Sequence, residues 1–383
     1  MKRILFKTSY LIFGGLFFLA SCSSKEHSTT LSGLSKENFD SEYDGKPTSL
    51  YTLSNDNGME VSITNFGGRV VSITVPDKNG NFQDVVLGFD SISPYFPENN
   101  SSDFGASIGR YANRINKGHL PINGDTIQLP VNNFGHTLHG GPTGWQYKVY
   151  DVKEVNDSSI TLTLNSPAGD NNFPGNVEAT VVYTLRNDNS LDIAYTATTD
   201  APTVVNMTNH SYFNLSGNPQ KPINDHLLEM FASGFTPVDS TFMVSGEIRN
   251  VEGTPMDFRI AQPLGTFINN MEDEQIRNAN GYDHNWVLDT KGDINKPAAI
   301  LYSPESGIEM SVYTTEPGIQ IYSGNFLDGS VTGKKGIVYN KNAAICLETQ
   351  HYPDSPNHPE WPSTILNPGE TYRSNTIYHF SVK

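Results

Sequence analysis

Val177-Glu178-Ala179-Thr180-Val181-Val182-Tyr183-Thr184-Leu185 and Leu191-Asp192-Ile193-Ala194-Tyr195-Thr196-Ala197-Thr198 stand on either side of Asn187-Asp188-Asn189. Apolar side chains recur at every second position along both arms, the period of a strand with one buried face. The Asn/Asp-rich link tolerates the positive φ of a tight turn, so the stretch predicts an antiparallel hairpin. The same period appears in Met59-Glu60-Val61-Ser62-Ile63-Thr64 and in Arg69-Val70-Val71-Ser72-Ile73-Thr74-Val75, which runs into the turn Asp77-Lys78-Asn79-Gly80. Asn123-Gly124 marks another hairpin between two short apolar runs. Further strands are predicted over 308–314, 319–323, 343–348 and 376–382. Helical periodicity is scarce, with one turn predicted at Ser91 to Tyr95 and two turns at Pro263 to Asn270. Strands do not alternate with helices and no repeat recurs at a fixed period. The expected fold is all-β: two packed antiparallel sheets forming one large β-sandwich domain over 39–383.

Composition agrees with that reading. The 383 residues include 20 Phe, 18 Tyr and 3 Trp, enough aromatic surface for a sizeable core, and a disordered chain has few aromatics. The 33 Gly and 23 Pro are spread along the chain, as many turns between short strands require. Acidic residues outnumber basic ones 41 to 25, a formal charge of −16. Such a surface repels phosphate backbones and no Lys/Arg run builds a basic stripe, so nucleic-acid binding is excluded as a main function.

The N-terminus reads differently. Lys2, Arg3 and Lys7 precede an apolar run from Tyr10 to Ala20, too short for a membrane span of about 20 apolar residues. Leu19-Ala20-Ser21-Cys22 resembles a bacterial lipobox, which implies a signal peptide over 1–21 and a lipid on Cys22. Removing residues 1–21 deletes three basic and no acidic side chains, taking the formal charge from −16 to −19. Residues 22–38, rich in Ser, Thr, Lys and Glu, read as a flexible tether. The implied location is exported and lipid-anchored, periplasm-facing or at the outer membrane. Cys346 lies in the apolar run Ala343 to Leu347 and is expected as a buried thiol; with Cys22 acylated, the chain has no disulfide.

Five segments carry candidate chemistry. Gly105-Ala106-Ser107-Ile108-Gly109 matches the nucleophile-elbow pattern, but its all-β flanks lack the strand-to-helix turn that the elbow needs. His136-Thr137-Leu138-His139 offers two imidazoles without the third and fourth ligands of a zinc site, so no metal is expected; Gly140-Gly141 instead permit a sharp bend beside His139. Val205 to Asn214 is unusually polar, and an unbroken strand there would set Asn206, Thr208, His210 and Tyr212 on one side. Tyr282-Asp283-His284-Asn285 and Leu347-Glu348-Thr349-Gln350 each put an acid among apolar residues. A structural ion pair between Glu348 and Arg114 is the competing reading of that second acid.

Seven segments, Ile108 to Ile115, Leu138 to Gly141, Phe173-Pro174-Gly175, Asn206 to Asn214, Asp283-His284-Asn285, Gln320 to Asn325 and Leu347 to Gln350, together resemble the aldose 1-epimerase (galactose mutarotase) family, in its order and over nearly the whole mature chain. The resemblance implies a large β-sandwich, with His210 as general acid and Glu348 as general base. It puts Asn113, Arg114, His139, Tyr212, Asp283 and Gln320 on positions that hold the sugar. Interconverting anomers of an aldohexose such as glucose or galactose requires deprotonating the C1 hydroxyl while protonating the ring oxygen. An acid and a base titrating near the working pH do this best. No redox step occurs, so no cofactor is expected. Implied partners are a small aldose, the membrane through the Cys22 lipid, and sugar transporters or glycosidases that hand sugars on. The competing reading from another class is a catalytically silent carbohydrate-binding lipoprotein. A phosphosugar epimerase would need more basic residues than Arg114 in the pocket, and a glycosidase would need a second flanking carboxylate.

Overall fold

The structure, a computed structural model, describes Met1, residues 29–99 and residues 102–383. Cys22 and, apart from Met1, the expected signal segment 1–21 lie outside the described residues.

One layer is a nine-stranded antiparallel sheet whose third and fourth strands are the hairpin predicted above. Val177–Leu185 pairs with Ser190–Thr199 in register from Val177 opposite Thr199 to Leu185 opposite Leu191. Val177, Ala179, Val181, Tyr183 and Leu185 are buried on one arm, facing the core with Leu191, Ile193, Tyr195 and Ala197 of the other. Tyr372–Val382 lies beside this hairpin and leads to Ile308–Thr314 and Pro297–Tyr302. Hydrophobic transfer of these alternating side chains, at about 25 cal/mol per Å² buried, is the main force closing the sandwich.

The opposing layer was expected as one sheet and consists of two. A four-stranded sheet holds Leu50–Ser54, Glu60–Thr64, Arg69–Pro76 and Phe82–Asp84. A six-stranded sheet has the order Tyr212–Phe213, Ile345–Gln350, Gly318–Tyr322, Asp283–Leu288, Ala232–Thr236, Arg249–Asn250. A single bridge between Val86 and Phe213 joins the two sheets. Both give their inner faces to one core: Val61, Ile63 and Ile73 from the first, Trp286, Ile319, Ile321 and Leu347 from the second.

Two further expectations are corrected. Residues 29–38, the end of the predicted tether, are packed, with a bridge from Thr29 to Ser35, Leu34 buried and a 3₁₀ turn at Lys36–Asn38. An apolar leucine that finds a groove outweighs the polar composition around it. The helix predicted from Pro263 to Asn270 shrinks to a 3₁₀ turn at Leu264–Thr266. The α-helix lies downstream at Glu274–Ala279, where the Asp273 side chain caps the Gln275 and Ile276 amides.

Candidate active site

The period of two also builds the site. In the six-stranded sheet Ile345 and Leu347, Ile319 and Ile321, and Trp286 face the sandwich core. Cys346 and Glu348, Gln320 and Tyr322, and Asp283 therefore face the other way. Register then gathers them: Gln320 lies opposite Glu348, Tyr322 opposite both Cys346 and Asp283, and Cys346 opposite Tyr212. Loops from 102–116 and 132–146 cover this outer face and leave a cavity of about 310 Å³, at the small end of ligand pockets (about 300–1,000 Å³).

The predicted strand at 205–214 is broken. Thr208–Asn209 pairs with Ser107–Ile108, Tyr212–Phe213 pairs with Ile345–Gln350, and His210-Ser211 form the link between. His210 and Tyr212 consequently line the cavity, whereas the Asn206 carboxamide is turned to the backbone of Ala112 and His351. The break is what frees the imidazole from the sheet.

His210 and Glu348 meet at the cavity floor, with Nε2 to Oε1 at 3.4 Å. Both are buried, at 5% and 2% exposure. Burial pushes the imidazole far below its usual range, and it pushes the Glu348 carboxyl well up, helped by Asp283 and Asp103 and opposed by Arg114. Glu348 is not the structural partner of Arg114: its Oε1 faces His210 and its Oε2 has no hydrogen-bond partner among the described residues. The Arg114 guanidinium instead donates to Asn133 Oδ1 and lies 4.9 Å over the Phe242 ring.

The other predicted sugar-binding residues fall around this pair, with one exception. His139 has a positive φ of 51°, and its ring meets that of His210 edge-on at 5.2 Å. A Cβ on Gly140 would come within 2.2 Å of the Gly109 carbonyl, so the bend needs glycine there. His139 Nδ1 accepts from the Asn113 amide at 3.1 Å, and its neutral form therefore carries its proton on Nε2. Burial, then His210 and Arg114, keep that ring neutral. Tyr212 stacks on His210 at 5.0 Å, while Asn113, Arg114 and Asp283 line the wall. Gln320 is the exception: its amide donates to Asp283 Oδ1 at 2.7 Å from behind the wall. It holds the carboxylate that faces the cavity.

Asp103 belongs to the site and carried no motif. Its carboxyl lines the cavity, Oδ1 is buried without a hydrogen-bond partner among the described residues, and burial pushes its pKa up to about 6 against the pull of Arg69. Asp103, His139 and His210 bring ligand atoms within 4.8 Å of one another, as do His210, Cys346 and Glu348. A cation held there would have to displace protons from the His139 Nε2, the Cys346 thiol or the Glu348 carboxyl. The set is better suited to exchanging hydrogen bonds with neutral hydroxyls.

The two remaining motifs resolve structurally. Ser107 Oγ is bonded to the Tyr183 hydroxyl at 2.7 Å and to the Gly68 carbonyl, inside a strand. His136 turns away from His139 to meet Thr241 Oγ1 at 2.9 Å.

The sequence pattern of the aldose 1-epimerase family matches residues 49–379. The chain is 40% identical over 340 residues to the aldose 1-epimerase of Escherichia coli (strain K12), covering 88% of this chain and 96% of that one. It is 41% identical to the galactose mutarotase of Mus musculus, covering 85% and 92%. Among solved structures, an aldose epimerase homologue from C. elegans superposes with a TM-score of 0.81 at 34% identity, covering 88% of this chain and 99% of that one. A galactose 1-epimerase from Lactobacillus acidophilus gives 0.77 at 30%, covering 89% and 97%.

Proposed function

The chain belongs to the aldose 1-epimerase family and is an isomerase of sugar anomers, and from that premise we propose that His210 and Glu348 open and reclose the ring of a free aldohexose such as glucose or galactose. One observation carries the assignment of roles: two titratable groups 3.4 Å apart at the floor of a sugar-sized cavity, one with an unpartnered oxygen.

Glu348 removes the proton of the C1 hydroxyl while His210 delivers one to the ring oxygen. The C1–O5 bond breaks, C1 becomes the aldehyde carbon, rotation about C1–C2 exchanges the faces, and closure returns both protons. The pair shares one proton and is neutral overall throughout: burial makes imidazole with carboxylic acid its resting form, its imidazolium–carboxylate form opens the ring, and opening returns it to imidazole with carboxylic acid. Burial disfavours the charged partners, which is the direction of both pKa displacements, and so lowers the cost of the open form. Proton transfer of this kind contributes about 10²–10⁴-fold. Asn113, Arg114, His139, Tyr212 and Asp283 hold the hydroxyls, and Gln320 keeps Asp283 in place.

Polarimetry on freshly dissolved α-glucose or α-galactose tests the reading. Wild type accelerates the decay, and Glu348→Gln and His210→Gln each lower kcat by about 10²–10⁴-fold while sugar binding persists by calorimetry. Saturable binding with a decay equal to buffer would replace it with the silent carbohydrate-binding lipoprotein, for which a buried acid–base pair has no use.

Export is the second part of the proposal, supported by Lys2, Arg3, Lys7, the Tyr10 to Ala20 run and Cys22. A lipid on Cys22 would hold the enzyme at the membrane, periplasm-facing or in the outer membrane, with residues 39–383 as the catalytic domain. There it would equilibrate sugars released as one anomer by glycosidases before a transporter takes the other. Cys22→Ser should move the activity from the membrane fraction to the soluble fraction. Activity that stays on the membrane would overturn the anchor.

A further inference from the structure

Asp103 has no part in the exchange described above, yet the fold fixes it firmly. Arg69, fully buried, sends one terminal nitrogen to the carbonyls on either side of it, Ser102 O at 3.0 Å and Phe104 O at 3.1 Å, and the other to Gln146 O at 2.8 Å. Its cation therefore grips the backbone around Asp103 and leaves the carboxyl to point into the cavity. Gly105 follows with φ 69°, where a Cβ would come within 1.8 Å of the Val70 carbonyl, so the turn cannot slide. Two backbone hydrogen bonds join this turn to the His210 link: Gly105 N donates to His210 O at 3.0 Å and His210 N to Ala106 O at 2.9 Å. Asp103 and His210 are thus set relative to each other by the backbone.

The carboxyl itself is only half engaged. Tyr147 hydrogen-bonds to it, while Oδ1 is buried with no hydrogen-bond partner among the described residues. Although burial pushes its pKa up to about 6, the group is a carboxylate at neutral pH and can only accept. A buried acceptor left idle costs stability unless a ligand meets it. Its position says which ligand atom can. Asp103 lies within 4.8 Å of ring nitrogens of His139 and His210, and Glu348 within 4.8 Å of His210 and Cys346, so the two groups share His210 alone. The imidazole stands between the two carboxyls. In an aldopyranose the ring oxygen O5 likewise stands between C1 and C5, and C5 carries the exocyclic C6. With His210 on O5 and Glu348 on the C1 hydroxyl, the far side of the imidazole faces C6.

We propose that Asp103 is a specificity-determining residue, which accepts a hydrogen bond from the C6 hydroxyl of an aldohexose and excludes sugars that carry an anion at C6, a role that rests on the anomer-exchange reading above. A hydroxymethyl group brings a donor to the idle oxygen. A 6-deoxy sugar or an aldopentose leaves the buried carboxylate unmet, and a uronic acid sets a second carboxylate against it. Selection therefore works by attraction for one substrate class and repulsion of another.

The test is polarimetry at neutral pH on α-galactose, its 6-deoxy analogue D-fucose, and galacturonate, with wild type, Asp103→Ala and Asp103→Asn. Wild type favours galactose over D-fucose by about ten- to a hundredfold in kcat/KM, and discriminates against galacturonate more strongly still. In Asp103→Ala the ratio of galactose to D-fucose falls to within about twofold of one. Asp103→Asn, similar in shape and uncharged, raises the ratio of galacturonate to galactose by about tenfold, a gain that a merely structural role would not produce. Ratios equal to those of wild type in folded variants overturn the role of Asp103 and leave the enzyme intact. So does a wild type that turns over D-fucose as well as galactose. Failure of wild type on galactose itself overturns the underlying reading instead.

Discussion

Arg110 and Glu348 are buried to the same degree, 1% and 2% exposed, and use their burial in opposite ways. Both terminal nitrogens of Arg110 are spent on the fold. One donates to the Pro174 and Gly175 carbonyls at 2.7 and 3.0 Å, the other to Ser166 O, Ser166 Oγ and Pro167 O. The guanidinium also lies over the Phe173 ring, and although burial lowers its pKa to about 10 it stays charged at neutral pH. Glu348 has a single contact with His210 and one oxygen left over. A buried charge whose terminal nitrogens are taken up mostly by backbone carbonyls ties loops together. A buried charge with an idle acceptor costs stability and keeps that acceptor for a ligand.

Substitutions at the two positions should separate stability from rate. Glu348→Gln, isosteric and uncharged, should combine the loss of rate described above with a melting temperature equal to or above that of wild type. A clear fall in melting temperature would make Glu348 a structural ion like Arg110 and break the contrast. Arg110→Met should cost roughly 3 kcal/mol of stability in urea titrations, since the carbonyls of the 166–167 and 174–175 segments lose their donor. Free hexoses should still be turned over by the fraction that remains folded.

Asp283 sits between these extremes, because Gln320 satisfies one of its oxygens while the carboxylate also faces the cavity. Asp283→Asn should raise KM about tenfold, the loss of one hydrogen bond to a charged acceptor, with a smaller effect on kcat. The smallest effect on stability is expected at Asp103. Burial raises its folded pKa to about 6 from an ordinary 3.8, so the folded state favours the protonated form. That contribution is complete below about pH 4 and is lost as pH rises through about 6. Asp103→Asn should therefore gain melting temperature relative to wild type over that window, by about 2 °C, and show a constant offset outside it. His226 and His284, pushed down to about 4 and about 3 by burial, have the opposite sign. They cost stability as pH falls below about 6.5 toward those values, in wild type and variant alike, so the difference between the two chains isolates Asp103.

The same contrast marks what could be read in advance. Alternation announced the strands because an amphipathic face is a local property, and 177–185 and 308–314 were legible to the residue. His210, Glu348 and most of the cavity wall were legible through seven short segments that resemble one family. Arg110 and Arg114 sit in the same segment, Ile108 to Ile115, and nothing local says that one faces backbone carbonyls and the other the cavity. Gln320 was read as a sugar ligand from the family resemblance alone, and although it lies directly opposite Glu348 in register, its amide reaches Asp283 first. Asp103 gave no signal: a lone acid after two serines is common, and its meaning comes only from what packs beside it.

By itself, then, the amino-acid order determined an all-β chain, its hairpins, and which residue types were on hand for acid–base chemistry, since periods and turn propensities act between near neighbours. Only the tertiary structure decided that the second layer is two sheets, that the 205–214 segment breaks to release an imidazole, and that Asp103 is set beside it. Those outcomes depend on strand register and loop packing between residues more than a hundred positions apart (His210 opposite Glu348, Asp103 beside His210). Such contacts are chosen by the collective burial of apolar surface, and no single segment carries that information.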